Sequence, residues 1–313
     1  MEQPVVEVQE QPANPIAGNP PARLVSSLAP PATSVSPQAC SACGTAPSPS
    51  GGTAAPPSWV YALGRIEARF PNVSVEKEFA QATGREKTAG LTDRQALHTV
   101  LSKPENRYLV RQLCWVMTIE GLETYLLRPR DPADFSLLVE ALRPNPSPLD
   151  LDVVIGMKGP IAPPEMCNGL MVPIVVFDQI YSFDRKTLIE SIPNTGKGSA
   201  GKEKFDAASD ELFDRILQMT DNAGATDDYR ALNYLAVRYQ AIYAKAAEEF
   251  AQNCSLTAVD VHASLLSGTR RILDVIFAYT NRSTDVVDKF FVRVDVTDEF
   301  PFLVTKLSPY YDR

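Results

Sequence analysis

Aromatic residues are absent from the first 57 positions of this 313-residue chain, and that asymmetry limits what it can fold into. All 13 Phe, 11 Tyr and 2 Trp lie from Trp59 onward, while 12 of the 26 prolines fall in residues 1–57. A segment rich in Pro, Ala, Ser and Gln buries too little apolar area to offset the entropy of ordering it. Residues 1–57 are therefore expected to form a disordered arm, and residues 58–313 a single domain with one core. With Lys and Arg at 30 against Asp and Glu at 38, the net charge of −8 argues against nucleic acid as the main partner.

The start, Met1-Glu2-Gln3-Pro4, lacks the basic and apolar regions of a secretory signal. The longest strongly apolar run, Leu170 to Phe177, holds eight residues and a proline, against the roughly 20 that a spanning helix needs. A cytoplasmic protein with no membrane span is the expectation. Five cysteines in such a reducing compartment point to metal ligation more than to disulfides.

The local patterns predict an α+β fold: a central helical segment, N-terminal mixed strands and a C-terminal antiparallel meander. Val60 to Ile66 reads as a short strand, and Val75 to Thr83 and Asp93 to Ser102 as helices, the second capped by Thr92 or Asp93. Gln112 to Arg128 reads as a hairpin turned near Glu120-Gly121. Asp131 to Leu142 is a predicted helix with Pro132 at its first position. Leu149 to Ile155 is a predicted half-buried strand, and Leu170 to Phe177 a buried one in which Pro173 marks an edge or bulge. Helical spacing covers Asp206 to Met219 and then runs on from Tyr229 to Phe250. Four strand-like runs follow, Leu256 to Leu266, Arg271 to Thr280, Val286 to Val296 and Phe302 to Leu307.

The sharpest chemical signal is Cys40-Ser41-Ala42-Cys43-Gly44. Two thiolates two residues apart reach one tetrahedral ion, and the glycine permits the tight turn of a knuckle. Cys114 and Cys167, each alone in its segment, are the candidate second half. A site of Cys40, Cys43, Cys114 and Cys167 would be a closed, structural Zn2+ centre. CxxC with other ligands, or no metal with the two lone cysteines buried as small apolar residues, stays open.

Other constellations are weaker. Gly196-Lys197-Gly198-Ser199-Ala200-Gly201-Lys202-Glu203 nearly matches a phosphate loop, but Glu203 stands where Ser or Thr would hold magnesium, so a surface loop is expected. His98 and His262 belong to no nucleophile motif. Asp150 and Asp152 share a strand face and suit either acid–base work or a solvated surface. Asp221, Asp227 and Asp228 read as capping and loop residues.

The run Trp59-Val60-Tyr61-Ala62-Leu63-Gly64-Arg65-Ile66-Glu67-Ala68-Arg69-Phe70-Pro71 resembles the start of the domain of unknown function at the C-termini of the cyanobactin maturation proteins. The likeness continues through Glu105 to Leu109, Gln112-Leu113-Cys114-Trp115, Gly159 to Gly169, and the ending Phe300-Pro301-Phe302-Leu303-Val304-Thr305-Lys306-Leu307. In that family the domain accompanies subtilisin-like proteases, whose Asp, His and Ser motifs are not visible in this chain. The resemblance transfers no catalytic residue, but it places Cys114 and Cys167 inside its most distinctive strings. It implies an association with ribosomal-peptide maturation, where the leading reading is a non-catalytic accessory scaffold holding a precursor peptide or a maturation enzyme; a homodimer is a separate expectation, since symmetric dimers are common. The alternative is a peptide-modifying enzyme using Cys114 or Cys167 as nucleophile, or an open zinc site.

Overall fold

The structure is a computed structural model, described over residues 58–84, 90–147, 150–184 and 199–311. Cys40, Cys43 and the Gly196-Lys197-Gly198 part of the glycine-rich run lie outside the described residues. From Ser199 that run opens a helix instead of continuing as a loop.

Five strands close into a barrel in the order β1-β2-β3-β5-β4. They are β1 (Trp59–Arg69), β2 (Cys114–Ile119), β3 (Leu122–Pro129), β4 (Asp150–Ile161) and β5 (Pro173–Asp184). Only β3 and β5 run parallel. Closure depends on β1, whose first half (Trp59 to Gly64) pairs with β4 and whose second half (Arg65 to Arg69) pairs with β2. Gly64 sits at the handover, where a Cβ would collide with the Thr118 carbonyl oxygen. The expected hairpin is present, with Glu120 (φ 52°) and Gly121 (φ 83°) supplying the left-handed pair that a two-residue turn requires.

Alternation along the strands divides the core. Val60, Ala62, Ile66, Trp115, Met117, Leu127, Val154, Val175 and Phe177 form one cluster with four helices: α1 (Val73–Gly84), α2 (Asp93–Leu101), α3 (Arg107–Gln112) and α4 (Phe135–Ala141). In a closed barrel this set is the interior. Thr92 caps α2 through a full capping box with Gln95. The opposite face, carrying Tyr61, Leu63, Val153 and Ile155, packs on α5 (Ser199–Met219), α6 (Asp227–Arg238) and α7 (Ala241–Ala251).

The same helices cover a second, antiparallel sheet of order β10-β8-β7-β6, with β9 also on β8. Its strands are β6 (Cys254–Ala263), β7 (Ile272–Asn281), β8 (Val287–Asp295), β9 (Phe302–Leu303) and β10 (Ser308–Pro309). Leu273, Val275, Phe277, Val292 and Val294 join the helices and the outer barrel residues in one apolar cluster. Among the described residues, seven helices and two sheets, one mixed and one antiparallel, make the α+β fold that the sequence predicts.

Four local expectations change. The helix expected over Tyr229 to Phe250 is two helices, because Tyr239 leaves helical geometry (φ −114°, ψ 87°) and its hydroxyl accepts from the Leu307 amide at 2.9 Å. Of the strand expected over Phe302 to Leu307 only Phe302–Leu303 is strand, with a second short piece beyond it at Ser308–Pro309, since the Thr305 hydroxyl takes the Arg293 amide that a ladder carbonyl would occupy. The strand expected over Leu149 to Ile155, described from Asp150, is not half-buried: β4 lies between the barrel interior and the helical layer, and Asp152 to Gly156 are buried. The buried strand expected over Leu170 to Phe177 starts only at Pro173, runs on to Asp184 and is half-buried, while Pro173 sits beside a register shift at Lys158 and Ile161, the irregularity expected of it.

A short segment joins the helical layer to the barrel. Beyond the end of β2, Asn222 to Gly224 runs along β1, with Tyr61 N donating to Gly224 O (3.1 Å) and Leu63 N to Asn222 O (2.8 Å). Gly224 has φ +57°, and a Cβ there would strike the Tyr61 carbonyl. Asn233, fully buried on α6, donates to that carbonyl at 2.8 Å. The acidic residues act here largely as expected: Asp221 accepts from Ala223 N, Thr226 caps α6, and Asp227 pairs with Arg230 and Arg271.

Candidate functional site

Of the four predicted sulfur ligands, the structure brings two together. Cys114 opens β2 and Cys167 lies in the connection between β4 and β5; they are joined as a disulfide with Cα atoms 5.8 Å apart, and each is 3% exposed. Around them pack Val116, Leu126, Ala162 and Met166. A sulfur committed to a disulfide has no thiolate to give a metal and none to attack a carbonyl. In this form the pair is a covalent tie, and the same two sulfurs sit close enough to share one ion only when reduced.

The histidines occupy the elements the sequence assigns, His98 on α2 and His262 on β6, where it is exposed opposite Asp274. Asp150 pairs with Arg143 at 2.7 Å. Asp152 is not on a solvated face: it is 4% exposed, accepts from the Ile66 amide at 2.8 Å and from the Ser182 hydroxyl, and burial lifts its carboxyl above the usual range.

A cleft of about 600 Å³ opens between α2–α3 and α4. Leu101, Val110, Pro132, Phe135 and Val139 supply its apolar lining, and Ser102, Arg107, Arg111, Ser136 and Glu140 its polar one. Arg107 and Arg111 stand one turn apart on α3, the spacing at which two guanidinium groups reach one carboxylate. Neither histidine lines this cleft. The sequence patterns assign no element to residues 103–111, so nothing there singles out the two arginines.

A second candidate is a sheet edge. Among the described residues β6 has a strand neighbour on one side only, β7. The Ser264 amide donates to its opposite residue Ile272 at 2.8 Å, which sets the phase of the ladder. By the alternation of antiparallel pairing, the amides and carbonyls of Val259, Val261 and Ala263 then face outward.

The densest buried charge lies where the barrel meets the second sheet. Arg130, after β3, reaches Asp178 of β5 at 2.7 Å and Glu299 at 3.9 Å. Burial, then a hydrogen bond to the Asp178 carboxyl and its charge, pushes Glu299 up to about 7, against the opposing pull of Arg130 and Arg230. The unfolded chain ionises this residue near 4.5 and the folded one near 7, so the native state binds the extra proton between those values. Stability is then full below pH 4.5, declines as pH rises to 7, and is level above. The gap corresponds to at most about 3 kcal/mol. In Glu299→Gln, urea midpoints measured from pH 4.5 to 8 are expected to lose that decline relative to the parent and to be higher at pH 8. Parallel curves for the two proteins would show that Glu299 titrates normally.

A mixed barrel and an antiparallel sheet clasping one helical layer define a two-sheet α+β domain whose charged groups at the barrel–sheet junction serve mainly as ties. Residues 199–310 match the family described as PatG C-terminal. A solved structure described as PatG Domain of Unknown Function has the same fold, with a TM-score of 0.67 at 20% identity, covering 81% of this chain and 98% of that one. No curated protein matches the chain. The family match falls on the helical segment and the meander. The structural likeness, at 81% of this chain, extends well beyond it. Among the described residues no helix is long and apolar enough to cross a membrane.

Proposed function

We propose that the chain is a non-catalytic accessory domain in cyanobactin-like ribosomal-peptide maturation, holding an extended precursor peptide, or a segment of a maturation enzyme, along the open edge of β6. The observation that carries this reading is the row of outward main-chain groups at Val259, Val261 and Ala263 on a strand with one neighbour. Edge addition takes its affinity from the backbone and tolerates varied side chains, which suits a substrate class of variable sequence. The similarity to the PatG C-terminal family supports the setting. The zinc centre expected at Cys40, Cys43, Cys114 and Cys167 belongs to this proposal only in a reduced form of the protein.

Pro is tolerated at an edge position whose amide points to solvent. Val261→Pro therefore removes one outward donor and leaves the β6–β7 ladder intact. Titration of fluorescent precursor-derived peptides is expected to show saturable binding that weakens about tenfold in this variant, the worth of one good hydrogen bond. Absence of saturation at high micromolar peptide, or equal affinity in Val261→Pro, would sink the edge site. A loss confined to Arg107→Ala with Arg111→Ala would move recognition to the cleft and to a ligand carboxylate.

A further inference from the structure

We propose that Glu249, Cys254 and Asp288 form a binding site for a divalent cation of the zinc class. Their donor atoms, one from each residue, all lie within 4.8 Å of one another. The three come from separate elements, the last turn of α7, the first residue of β6 and the start of β8. Glu249 is 2% exposed, and its Oε2 is buried without a hydrogen-bond partner. Leaving a carboxylate oxygen dry and unpaired costs several kcal/mol in general, so such an atom beside two further donors points to a ligand. Its other oxygen, Oε1, is held by Lys245 at 2.9 Å, which fixes the carboxylate and balances one negative charge.

Cys254 is a free, buried cysteine, and its Sγ accepts from the Asn281 side-chain Nδ2 at 3.6 Å and donates to the Gln252 carbonyl at 3.7 Å. An amide donor on the sulfur is the kind of outer-shell partner that metal-ligating residues keep. One sulfur and two carboxylate oxygens suit zinc better than magnesium or calcium, which take oxygen alone. Arms of about 2.0–2.3 Å place tetrahedral ligands about 3.3–3.8 Å apart, so binding draws the donors in by no more than about 1.5 Å. Asp288 is exposed and can make that movement. On binding, the thiol proton leaves to water and the sulfur takes the ion, so affinity rises with pH. Three protein ligands leave the fourth position to water, and the site pins the helical layer to the second sheet.

The test uses the full chain, stripped by chelator and titrated with Co2+ and Zn2+. One equivalent of Co2+ is expected to give a sulfur-to-cobalt absorption band that persists in Cys40→Ser with Cys43→Ser and vanishes in Cys254→Ser. Asp288→Asn, a change at an exposed position, is expected to weaken Zn2+ binding at least about tenfold. A band that disappears with Cys40 and Cys43, no band in the parent, or parental binding in Cys254→Ser or in Asp288→Asn overturns the proposal.

Discussion

Arg230→Met is expected to lower the unfolding free energy by about 3–5 kcal/mol, the cost of breaking a buried ionic network from one side. Arg230 is 1% exposed at the start of α6, yet it serves a distant segment. One nitrogen, NH1, pairs with Asp227 at 2.9 Å and donates to Val296 O at 3.0 Å; the other, NH2, donates to Asp298 O and to Glu299 O at 3.0 Å. Methionine fills the stem but leaves the buried Val296 and Glu299 carbonyls without this donor, while Asp227 keeps only Arg271. Arg271→Ala is the control, since it also removes a partner of Asp227 but from a side chain 47% exposed, where an ion pair is worth about 0–1 kcal/mol. The residue has a second readout. Its charge pulls the Glu299 carboxyl down against burial and Asp178, so Arg230→Met should also deepen the decline in stability between pH 4.5 and 7. Urea midpoints at pH 6 and 8 check both effects. A loss below about 1 kcal/mol, with the pH dependence unchanged, would show that the loop holds itself.

The contrast between what the chain announces and what it conceals follows from the range of each interaction. Thr92 with Gln95, Glu120-Gly121 and the turns of the meander are settled by neighbours a few residues apart, and all are readable as sequence. Closure of the barrel is not, because it depends on β1 changing partners at Gly64 and on a parallel pairing of β3 with β5 across 50 or so residues of chain. Arg230 looks like one polar position of an amphipathic helix, and only the return of residues 296–299 makes it an interior residue. The same holds for the helix break at Tyr239, whose hydroxyl answers an amide 68 positions away. Cys114 and Cys167, each alone in its segment, are the expected second half of one sulfur site; the structure brings these two together, but nothing in the sequence tells whether such sulfurs meet each other or an ion. Glu249 and Asp288 were hidden for a related reason: their shared neighbour Cys254 sits alone in the sequence, without the short repeat by which a metal knuckle is recognised.

Loss of the Cys114–Cys167 tie is expected to cost about 2–4 kcal/mol. The bond closes a loop of 53 residues, for which the chain-entropy account gives an upper figure of about 4 kcal/mol. Much of that loop is already held by the barrel, so the saving on closure is smaller than for a free chain. Within the 162–172 connection, Ala162 N donates to Val172 O, Gly169 N to Pro164 O and Leu170 N to Cys167 O, so the segment keeps its own shape. The tie holds that shape against β2 and keeps Val116 and Leu126 dry. Cys114→Ala with Cys167→Ala should therefore lower the urea midpoint and speed amide exchange across 162–172, and reductant should shift the parent to the same midpoint while leaving the double variant unmoved. Alkylation followed by peptide mapping separates the tie from the four-sulfur zinc centre. A disulfide leaves Cys114 and Cys167 unmodified until reductant is added, whereas thiolates on zinc become reactive once a chelator removes the ion. If both residues alkylate in the native protein without either treatment and the midpoint ignores reductant, neither bond is present, and cluster packing alone must hold the connection.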